Sequence, residues 1–517
     1  MPLFRSTTHP HSQRKLRHGT LSIFNTQFFK GHVRTFNFKL IARLTGTLLI
    51  IMACAMALPV GFSLYYRDGA QFDLILSALG ILLAGLFLRN FVGHNCTYEL
   101  HEKESFWITA VIWIVVPITC TIPYYFSGAV GSFTDAAFES FSGFTTTGSS
   151  ILTDLDHTPQ GLLVWRALSQ WIGGLGLILF IIAILRKLNV GSAHLYDAEF
   201  SGTVQRKLHP RISTSVRYMW AIYVGMSVLL MGALLLCGND LFDSMCTSIS
   251  AVSTGGFMVH TDGLAGYSRL SLALITVFML LSGVNIALLF RLVTGRGREV
   301  WRNEEFRLYV VLFLLATIVL TVCFLQRGNA LNVSLSYSIF HVASTLSTCG
   351  LTLEGPERWP FLVSAITFAL IILGASAGST GGGLKIKRVM ILVRYVRNYF
   401  TRMLHPNAVF VVTMDEHRID DDYINKIFGF VFMYIMFIVL GAFVLTITGL
   451  SIPTAVCVAA TNIANLGPSP LIDMMGAQFD YASLMPLAKW TLIALMLVGR
   501  IEIFAILAIF SPAYWRR

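Results

Sequence analysis

The chain has 517 residues, of which 55% are hydrophobic and only 13% are charged, and its mean hydropathy is +0.68. Soluble domains carry roughly 25% charged residues, so this composition excludes an ordinary soluble protein and indicates one embedded in a membrane. Membrane topology and attraction to an anionic lipid bilayer account for the net charge of +11 at pH 7, so the charge needs no nucleic-acid partner.

Ten apolar segments are long enough to be membrane spans, which need about 20 residues each. They cover residues 40–66, 72–93, 105–126, 161–185, 212–237, 268–293, 307–326, 359–395 (with an interruption), 424–449 and 485–512. The first begins too far from the N-terminus to be a cleavable signal peptide, so it is predicted to remain as a helix. The basic leader before it, residues 1–38, has no assigned role.

Basic residues orient the predicted helices. They concentrate in the leader and in residues 186–217, 291–307, 385–402 and 516–517, all on one side of the ten-span arrangement. Acidic residues such as Asp135, Asp243 and Asp480 fall on the other side. The positive-inside rule makes the basic side cytoplasmic, so both termini are predicted to be cytoplasmic.

One short pattern occurs four times after about residue 100, each time between two predicted spans. The copies are FSGFTTTGSS (141–150), ISAVSTGGFM (249–258), ASTLSTCGLT (343–352) and ATNIANLGPS (460–469). In this alignment one column contains only glycine, at Gly148, Gly256, Gly350 and Gly467. The fourth copy departs most from the others, because Asn465-Leu466 replaces the Ser/Thr pair.

A short helix is predicted before each glycine, at residues 134–144, 241–252, 334–346 and 453–464. These half-helices are too short to cross a bilayer, so each is predicted to be re-entrant. Irregular backbone is tolerated at membrane depth only where it is buried or lines water, which places the four loops around a pore. The alternative is that the copies are ordinary small-residue packing patches; four copies in register, each after a half-helix, favour the pore.

Residues 374–383, GASAGSTGGG, interrupt the eighth span with five glycines. A straight helix is not stable there, since each glycine costs roughly 1 kcal/mol relative to alanine. A phosphate-binding loop is excluded because Leu384 separates the last glycine from Lys385. A passive kink and an intramembrane gate both fit the pattern.

Arg500 lies in the middle of the apolar segment TLIALMLVGRIEIFAILAIF. A charge in such a helix is costly and should face a pore or a partner. Glu502 is two residues away and points elsewhere on a helix, so it is a poor partner. A buried ion pair with another acidic residue is the alternative interpretation.

Six motifs together resemble the bacterial TrkH/TrkG type of the Trk/Ktr/HKT superfamily of potassium transporters. They are FESFSGFTTTGSS (138–150), STGGF (253–257), STCGLT (347–352), GASAGSTGGGLKIKR (374–388), NIANLGP (462–468) and GRIE (499–502). The resemblance covers nearly the whole chain. Two helices precede the repeats, which resembles this type more than the shorter KtrB type.

The resemblance implies an all-α polytopic membrane protein of the bacterial inner membrane. Two leading transmembrane helices (39–100) would precede four helix–pore-loop–helix repeats (101–200, 201–300, 301–405 and 406–517) in a pseudo-fourfold arrangement around one pore. It also implies a homodimer and cytoplasmic nucleotide-binding regulatory subunits of the TrkA type. K⁺ would be the transported ion, with no organic cofactor.

Backbone carbonyls around an axis can replace the water shell of an alkali cation without trapping it. The candidate K⁺ ligands are the carbonyls of the four loops: Thr146, Thr147 and Gly148; Thr254, Gly255 and Gly256; Thr348, Cys349 and Gly350; and Asn465, Leu466 and Gly467. In the family, glycine in the first loop accompanies potassium selectivity, so Gly148 favours potassium over sodium. A sodium-permeable transporter, or one coupled to H⁺ or Na⁺, stays open as the alternative.

The resemblance makes the interrupted span a gate, formed by Gly374, Gly378, Gly381, Gly382 and Gly383 with Arg500 in the pore. Four bases beyond it are predicted either to anchor the helix or to dock the regulatory subunit: Lys385, Lys387, Arg388 and Arg394. Glu139 is expected to support the first loop from behind rather than bind the ion.

A membrane-embedded enzyme or sensor is the competing class of function. It would need a catalytic dyad, a metal cluster or a cytosolic effector domain. The sequence has no HExxH or GxSxG motif, and its predicted cytoplasmic loops are short. The chain is therefore predicted not to be an enzyme.

Overall fold

The computed structural model describes residues 37–94, 102–176, 212–353, 360–405, 411–467 and 479–501. The predicted leader, except for Asn37 and Phe38, and the Glu502 considered as a partner of Arg500 lie outside these residues. The regular secondary structure of the described part is helical, apart from one short β-hairpin.

The helices follow one another in this order: α1 (Phe38–Ala55), α2 (Ala57–Tyr66), α3 (Gln71–Phe87, continued by a wider turn over Leu88–Val92), α4 (Glu102–Thr119), α5 (Ile122–Phe126), α6 (Phe133–Phe144), α7 (Gln160–Gly174), α8 (Ile212–Leu236), α9 (Leu241–Ser253), α10 (Arg269–Ser282), α11 (Ile286–Val293), α12 (Gly297–Arg302), α13 (Glu304–Leu325), α14 (Leu331–Leu346), α15 (Phe361–Leu373), α16 (Ile386–Leu404), α17 (Asp421–Ile447), α18 (Ile452–Ile463) and α19 (Pro486–Arg500). The hairpin, β1 (Thr413–Met414) and β2 (His417–Arg418), lies between α16 and α17.

Six helical segments of the described residues are long and apolar enough to cross a membrane. They are Phe38–Tyr66, Gln71–Val92, Ser105–Phe126, Val216–Leu236, Glu304–Leu325 and Asp421–Ile447, with hydropathy between 2.0 and 2.8. Their number and length confirm the prediction of an integral, mainly helical membrane protein. Two other predicted spans, 161–185 and 485–512, run into residues outside the described part.

The prediction of one continuous span over residues 268–293 is wrong. Helix α10 ends at Ser282, and α11 starts at Ile286 at an angle of 111° to it. The break is local in origin, because the side chain of Asn285 accepts a hydrogen bond from the Ala287 N–H (2.8 Å) and caps the new helix. Hydropathy does not reveal the break because both helices are apolar.

The four predicted half-helices are α6, α9, α14 and α18, with 12, 13, 16 and 12 residues. At 1.5 Å per residue the longest reaches about 24 Å, less than the hydrocarbon core of a bilayer. Side chains cap the first, second and fourth at Ser132, Asp240 and Ser451. The third has no side-chain cap and begins at Leu331, one turn before the predicted position.

The C-terminal turns of the four half-helices lie in the interior of the described part, and most of the long helices are more exposed. Every residue of α6 from Ala136 to Phe144 is buried, whereas only 22% of the span Gln71–Val92 is buried. The polar Ser/Thr-rich segments are thus inside and the apolar ones face outward, as expected where lipid is the solvent. The candidate functional elements therefore lie in the interior, among the half-helices.

Candidate functional site

The four loops after the half-helices share one backbone conformation. The first residue of each is left-handed, at Thr146, Thr254, Thr348 and Asn465, with φ of 55°, 54°, 56° and 52°. The glycine two positions later is also left-handed, at Gly148, Gly256, Gly350 and Gly467, with φ of 81°, 78°, 83° and 84°. β-Branched residues avoid this region, so three threonines held there mark strain of the kind found at functional sites.

A hydrogen bond between the loop and its half-helix also recurs in all four copies. The residue after the left-handed one donates its N–H to the carbonyl five positions back, from Thr147 to Ser142 (2.9 Å), Gly255 to Ser250 (2.9 Å), Cys349 to Ser344 (2.9 Å) and Leu466 to Thr461 (3.0 Å). This bond closes the C-terminus of each helix in the manner of a Schellman cap. The half-helix ends, with their partial negative charge, therefore lie directly at the loops.

The column glycines are packed against the neighbouring loops. A Cβ atom on Gly148 would lie 2.2 Å from the Gly255 oxygen, and one on Gly256 would lie 2.3 Å from the Cys349 oxygen. A Cβ atom on Gly467 would lie 2.1 Å from the Thr147 oxygen. The first three loops thus pack side by side in chain order, and the fourth packs against the first. At these three positions glycine is required by both backbone angle and space.

The fourth loop has a specific reason to differ in sequence. The Asn465 amide donates to Thr147 Oγ1 (2.9 Å) and to the Met496 carbonyl (3.0 Å). Asn462 Oδ1 accepts from Ser149 Oγ (3.0 Å). Asparagine also tolerates left-handed backbone better than threonine does. The copy that departs most in sequence has the same backbone and uses its amides to join the first loop.

A buried ion pair supports the first and second loops from behind. Arg166 Nε lies 2.7 Å from Glu139 Oε1, and both side chains are at most 2% exposed. Glu139 also accepts from the Ile151 N–H (2.9 Å), and Arg166 also donates to the Met258 carbonyl (3.1 Å). Both charged side chains also form hydrogen bonds with the hydroxyl of Ser150, which follows the first loop. Glu139 therefore supports the loop through Ser150.

Gln170, one turn along α7 from Arg166, contacts the second loop itself. Its Nε2 donates to the Gly255 carbonyl (2.7 Å), so one lone pair of that candidate ion ligand is used within the protein. Neither Arg166 nor Gln170 is among the residues predicted from the sequence. The sequence does contain a signal for Arg166, because this charged residue lies inside the apolar run LLVWRALSQW.

Breaking the buried pair is expected to destabilise the protein strongly. Arg166→Ala leaves Glu139 charged, buried and unpaired, which costs about 3–5 kcal/mol. Arg291→Ala is the matched control, since its pair with Glu299 is longer (3.5 Å) and more exposed, and surface pairs contribute about 0–1 kcal/mol. Thermal unfolding in detergent measures both variants, and equal shifts of the two midpoints would contradict the bracing role.

His260 joins the segments that follow the first and second loops. Its Nε2 lies 2.9 Å from Asp243 Oδ1 at the start of α9, and its Nδ1 lies 3.1 Å from Asp156 Oδ1. The hydrogen bond to Asp243, with a further one to Asp156, raises the pKa of His260 from 6.5 to about 9. Because the pKa is raised in the folded protein, the stabilisation by protonated His260 is fully present below pH 6.5. It is lost as the pH rises through about 9.

The melting temperature of the wild-type protein should therefore fall more between neutral pH and about pH 10 than that of His260→Gln, which cannot titrate. Differential scanning fluorimetry over this range measures the difference. Parallel pH profiles of the two proteins would show that the His260 charge stabilises nothing.

The interrupted span ends as a helix at Leu373 and resumes at Ile386, so the predicted break is present. Neighbouring elements satisfy its backbone groups. Ser376 N–H donates to the Gly283 carbonyl (3.0 Å), Ile286 N–H donates to the Gly378 carbonyl (3.1 Å), and Gly382 N–H donates to Thr348 Oγ1 (2.6 Å). The broken span thus joins the bend between α10 and α11 to the third loop.

The break lies directly against the third and fourth loops. A Cβ atom on Gly381 would be 2.5 Å from the Ser347 oxygen, and one on Gly382 would be 2.0 Å from the Ala464 oxygen. Larger residues would force the segment away from the loops. We name residues 374–383 the break loop.

Arg500 ties the break loop to α7. Its guanidinium donates to the Thr380 carbonyl (2.9 Å), the Gly173 carbonyl (2.7 Å) and the Gly174 carbonyl (2.6 Å). The last two form the C-terminus of α7, where the helix dipole favours a cation. Arg500, the break loop and Asn465 also line one cavity of about 90 Å³.

The four bases proposed for docking differ in their surroundings. Lys385 donates to the Gly381 carbonyl in the break loop, and Lys387 is half-buried. Arg394 pairs with Glu304 (2.8 Å). Arg388 is only 4% exposed and lies 4.0 Å from the centre of the Phe430 ring. Arg388 is therefore the least accessible of the four bases to a docked partner, because its charge is turned inward onto α17.

Comparisons with known proteins identify the family. A family model described as "TrkH: Cation transport protein" matches residues 81–517. The Trk system potassium uptake protein TrkH of Escherichia coli K12 is 34% identical over 488 residues, covering 93% of this chain and all of the relative. The Trk system potassium uptake protein TrkG of the same organism is 27% identical and covers 94% of this chain.

A solved structure is also similar over nearly its whole length. The crystal structure of the potassium transporter TrkH from Vibrio parahaemolyticus superimposes with a TM-score of 0.82 at 28% identity. The match covers 93% of this chain and 100% of that one. The full-length matches show that the chain belongs to the TrkH family of cation transport proteins.

Proposed function

We propose that the chain takes up potassium across the bacterial inner membrane through a filter made of its four glycine loops. The observation that carries the proposal is the repeated backbone, with left-handed residues at the same two positions of every loop. The family membership and the relatives named as potassium uptake proteins support potassium as the ion. The chain would act as a transporter, with no chemical reaction to catalyse.

Potassium would bind to backbone carbonyls of the loops, which lie at the C-terminal ends of four buried half-helices. Neutral carbonyls replace the water shell, and the helix ends add partial negative charge without a full counter-charge that would trap the ion. Gly148 supports potassium over sodium by keeping the first loop close to the second. The single aligned glycine of each loop favours fewer ion sites than a tetrameric potassium channel has.

The break loop and Arg500 would form the gate. The loop packs against the third and fourth filter loops, and Arg500 holds it to α7 through Thr380. In this position the loop blocks the way from the filter, and the guanidinium repels a cation entering the cavity. Opening would need the loss of the Arg500 contact and a shift of the glycines.

The proposed assembly follows the sequence prediction. Four repeats, 101–200, 201–300, 301–405 and 406–517, would surround one axis after the two leading helices, with both termini cytoplasmic. Two copies would form a homodimer, and cytoplasmic TrkA-type subunits would dock on α16, near the half-buried Lys385, Lys387 and Arg394. Arg388 is left out of that surface because it is buried.

Rubidium uptake by the purified protein in liposomes tests the function. Rubidium replaces potassium as tracer, and unlabelled potassium should compete far more effectively than sodium. A folded protein, verified by its melting temperature, that gives no uptake above empty liposomes would refute the proposal.

The alternative is a sodium-permeable or ion-coupled transporter. Each loop has only one aligned glycine, which leaves room for a less strict choice between ions. Imposing a proton or a sodium gradient on the same liposomes separates the mechanisms. Rubidium accumulation against its own gradient would establish coupling, whereas passive equilibration would exclude it.

A further inference from the structure

Glu305 is a buried acidic residue that neither the filter nor Arg500 uses. It lies in the first turn of α13 and is 3% exposed. The Asn303 side chain caps that helix by accepting from the Phe306 N–H (2.9 Å). Glu305 Oε1 accepts a hydrogen bond from the Ala377 N–H at 2.6 Å. Ala377 is in the break loop, so a carboxylate outside the loop holds its middle.

This contact differs in kind from the others that hold the break loop. Where a helix is interrupted, its N–H groups lose their acceptors and must find new ones. The N–H of Ser376, the residue before Ala377, donates to a backbone carbonyl of the α10–α11 bend. Ala377 instead uses a side-chain carboxyl oxygen, which α13 supplies. Lys387 and Lys385, just beyond the loop, attract the same carboxylate.

The turn that carries Glu305 is fixed by the hairpin between α16 and α17. Asp415, in the hairpin turn, accepts from the Asn303 amide (2.8 Å) and from the Glu304 N–H (3.0 Å). Arg394 of α16 pairs with the Glu304 carboxylate (2.8 Å) and donates to the Thr413 carbonyl (2.5 Å). The hairpin, α16 and the start of α13 therefore form one polar clamp next to the break loop.

We propose that Glu305 is a positioning residue that holds the break loop in its closed position as a latch, and that the polar clamp around Asp415 holds Glu305 in place. The inference rests on the proposed gate and adds its regulation: a movement of the hairpin would shift the first turn of α13 and withdraw the acceptor from Ala377.

Hydrogen exchange of the full-length protein, followed by mass spectrometry of peptides covering residues 374–383, tests the latch without relying on transport. Glu305→Ala should speed exchange of this peptide at least several-fold. Glu305→Gln keeps an acceptor oxygen on a side chain of the same length and should give a rate between those of Glu305→Ala and the wild type. Asp415→Ala should change the rate in the same direction. Glu299→Ala, which removes a carboxylate of a surface pair with Arg291, is the control and should leave the rate unchanged.

Rubidium flux of the same proteins in liposomes gives the second measurement. Glu305→Ala should raise flux, with Glu305→Gln again between it and the wild type. Unchanged exchange and flux in a folded Glu305→Ala protein would overturn the latch. If Glu305→Ala does not fold, wild-type exchange and flux in both Glu305→Gln and Asp415→Ala would overturn it. An inactive wild type would refute the proposed transport, whereas the exchange rates would still decide whether Glu305 holds the loop.

Discussion

Gly148→Ser is expected to raise the sodium-to-potassium permeability ratio at least about tenfold and to lower potassium flux. The added Cβ atom would lie 2.2 Å from the Gly255 oxygen at a φ of +81°, so the first two loops must separate. Left-handed backbone in a residue other than glycine costs of order 1–3 kcal/mol, and about 1.4 kcal/mol lost from ion discrimination is a factor of ten. Bi-ionic potentials of the reconstituted protein measure the ratio.

Gly131→Ser is the control for this substitution, because a Cβ atom on Gly131 would meet no other atom within 4 Å and this glycine lies outside the loops. It should leave the permeability ratio unchanged. Gly350→Ser, at a φ of +83° in the third loop, should act in the same direction as Gly148→Ser. A wild-type ratio in a folded Gly148→Ser protein would remove the filter assignment.

Arg500→Ala is expected to increase rubidium flux about tenfold at equal protein amount. The substitution removes the bond from the guanidinium to the Thr380 carbonyl, which holds the break loop, together with a positive charge beside the cavity. A hydrogen bond to a charged group contributes about 1.5–3 kcal/mol, enough to shift a closed–open equilibrium by that factor or more. Tracer flux into liposomes measures it.

Arg500→Lys is the matched variant, since it keeps the charge but cannot make the forked contacts of a guanidinium. Its flux should fall between those of the wild type and Arg500→Ala. The melting temperature of each variant shows whether the Gly173 and Gly174 contacts are needed for folding. Flux equal to or below the wild type in a folded Arg500→Ala protein would count against the gate.

The elements that depend on local chemistry could be predicted from the sequence. Glycine marks both the loops and the break, because few other residues accept left-handed backbone or so close an approach. Ser, Asp and Asn caps mark where helices start, and the third half-helix, which lacks one, begins a turn earlier than predicted. The bend between α10 and α11 could not be predicted from hydropathy, which gives no information on direction.

Contacts between distant segments could not be predicted. Glu139 and Arg166 are 27 positions apart, and Gln170 and Gly255 are 85 apart. Arg388 packs on Phe430, which is in another span. The residues near Arg388 in the sequence therefore give no sign that its side chain is buried. The same holds for Glu305, whose acceptor role depends on where the break loop of a later span comes to lie.

Diffraction at the rubidium absorption edge, from crystals grown in rubidium, tests the central claim most directly. We expect an anomalous peak enclosed by Gly148, Gly256, Gly350 and Gly467, which weakens when potassium replaces rubidium and persists when sodium is added. A clear peak elsewhere in the membrane region, with none between these four glycines, would contradict the assignment of the loops as the potassium filter.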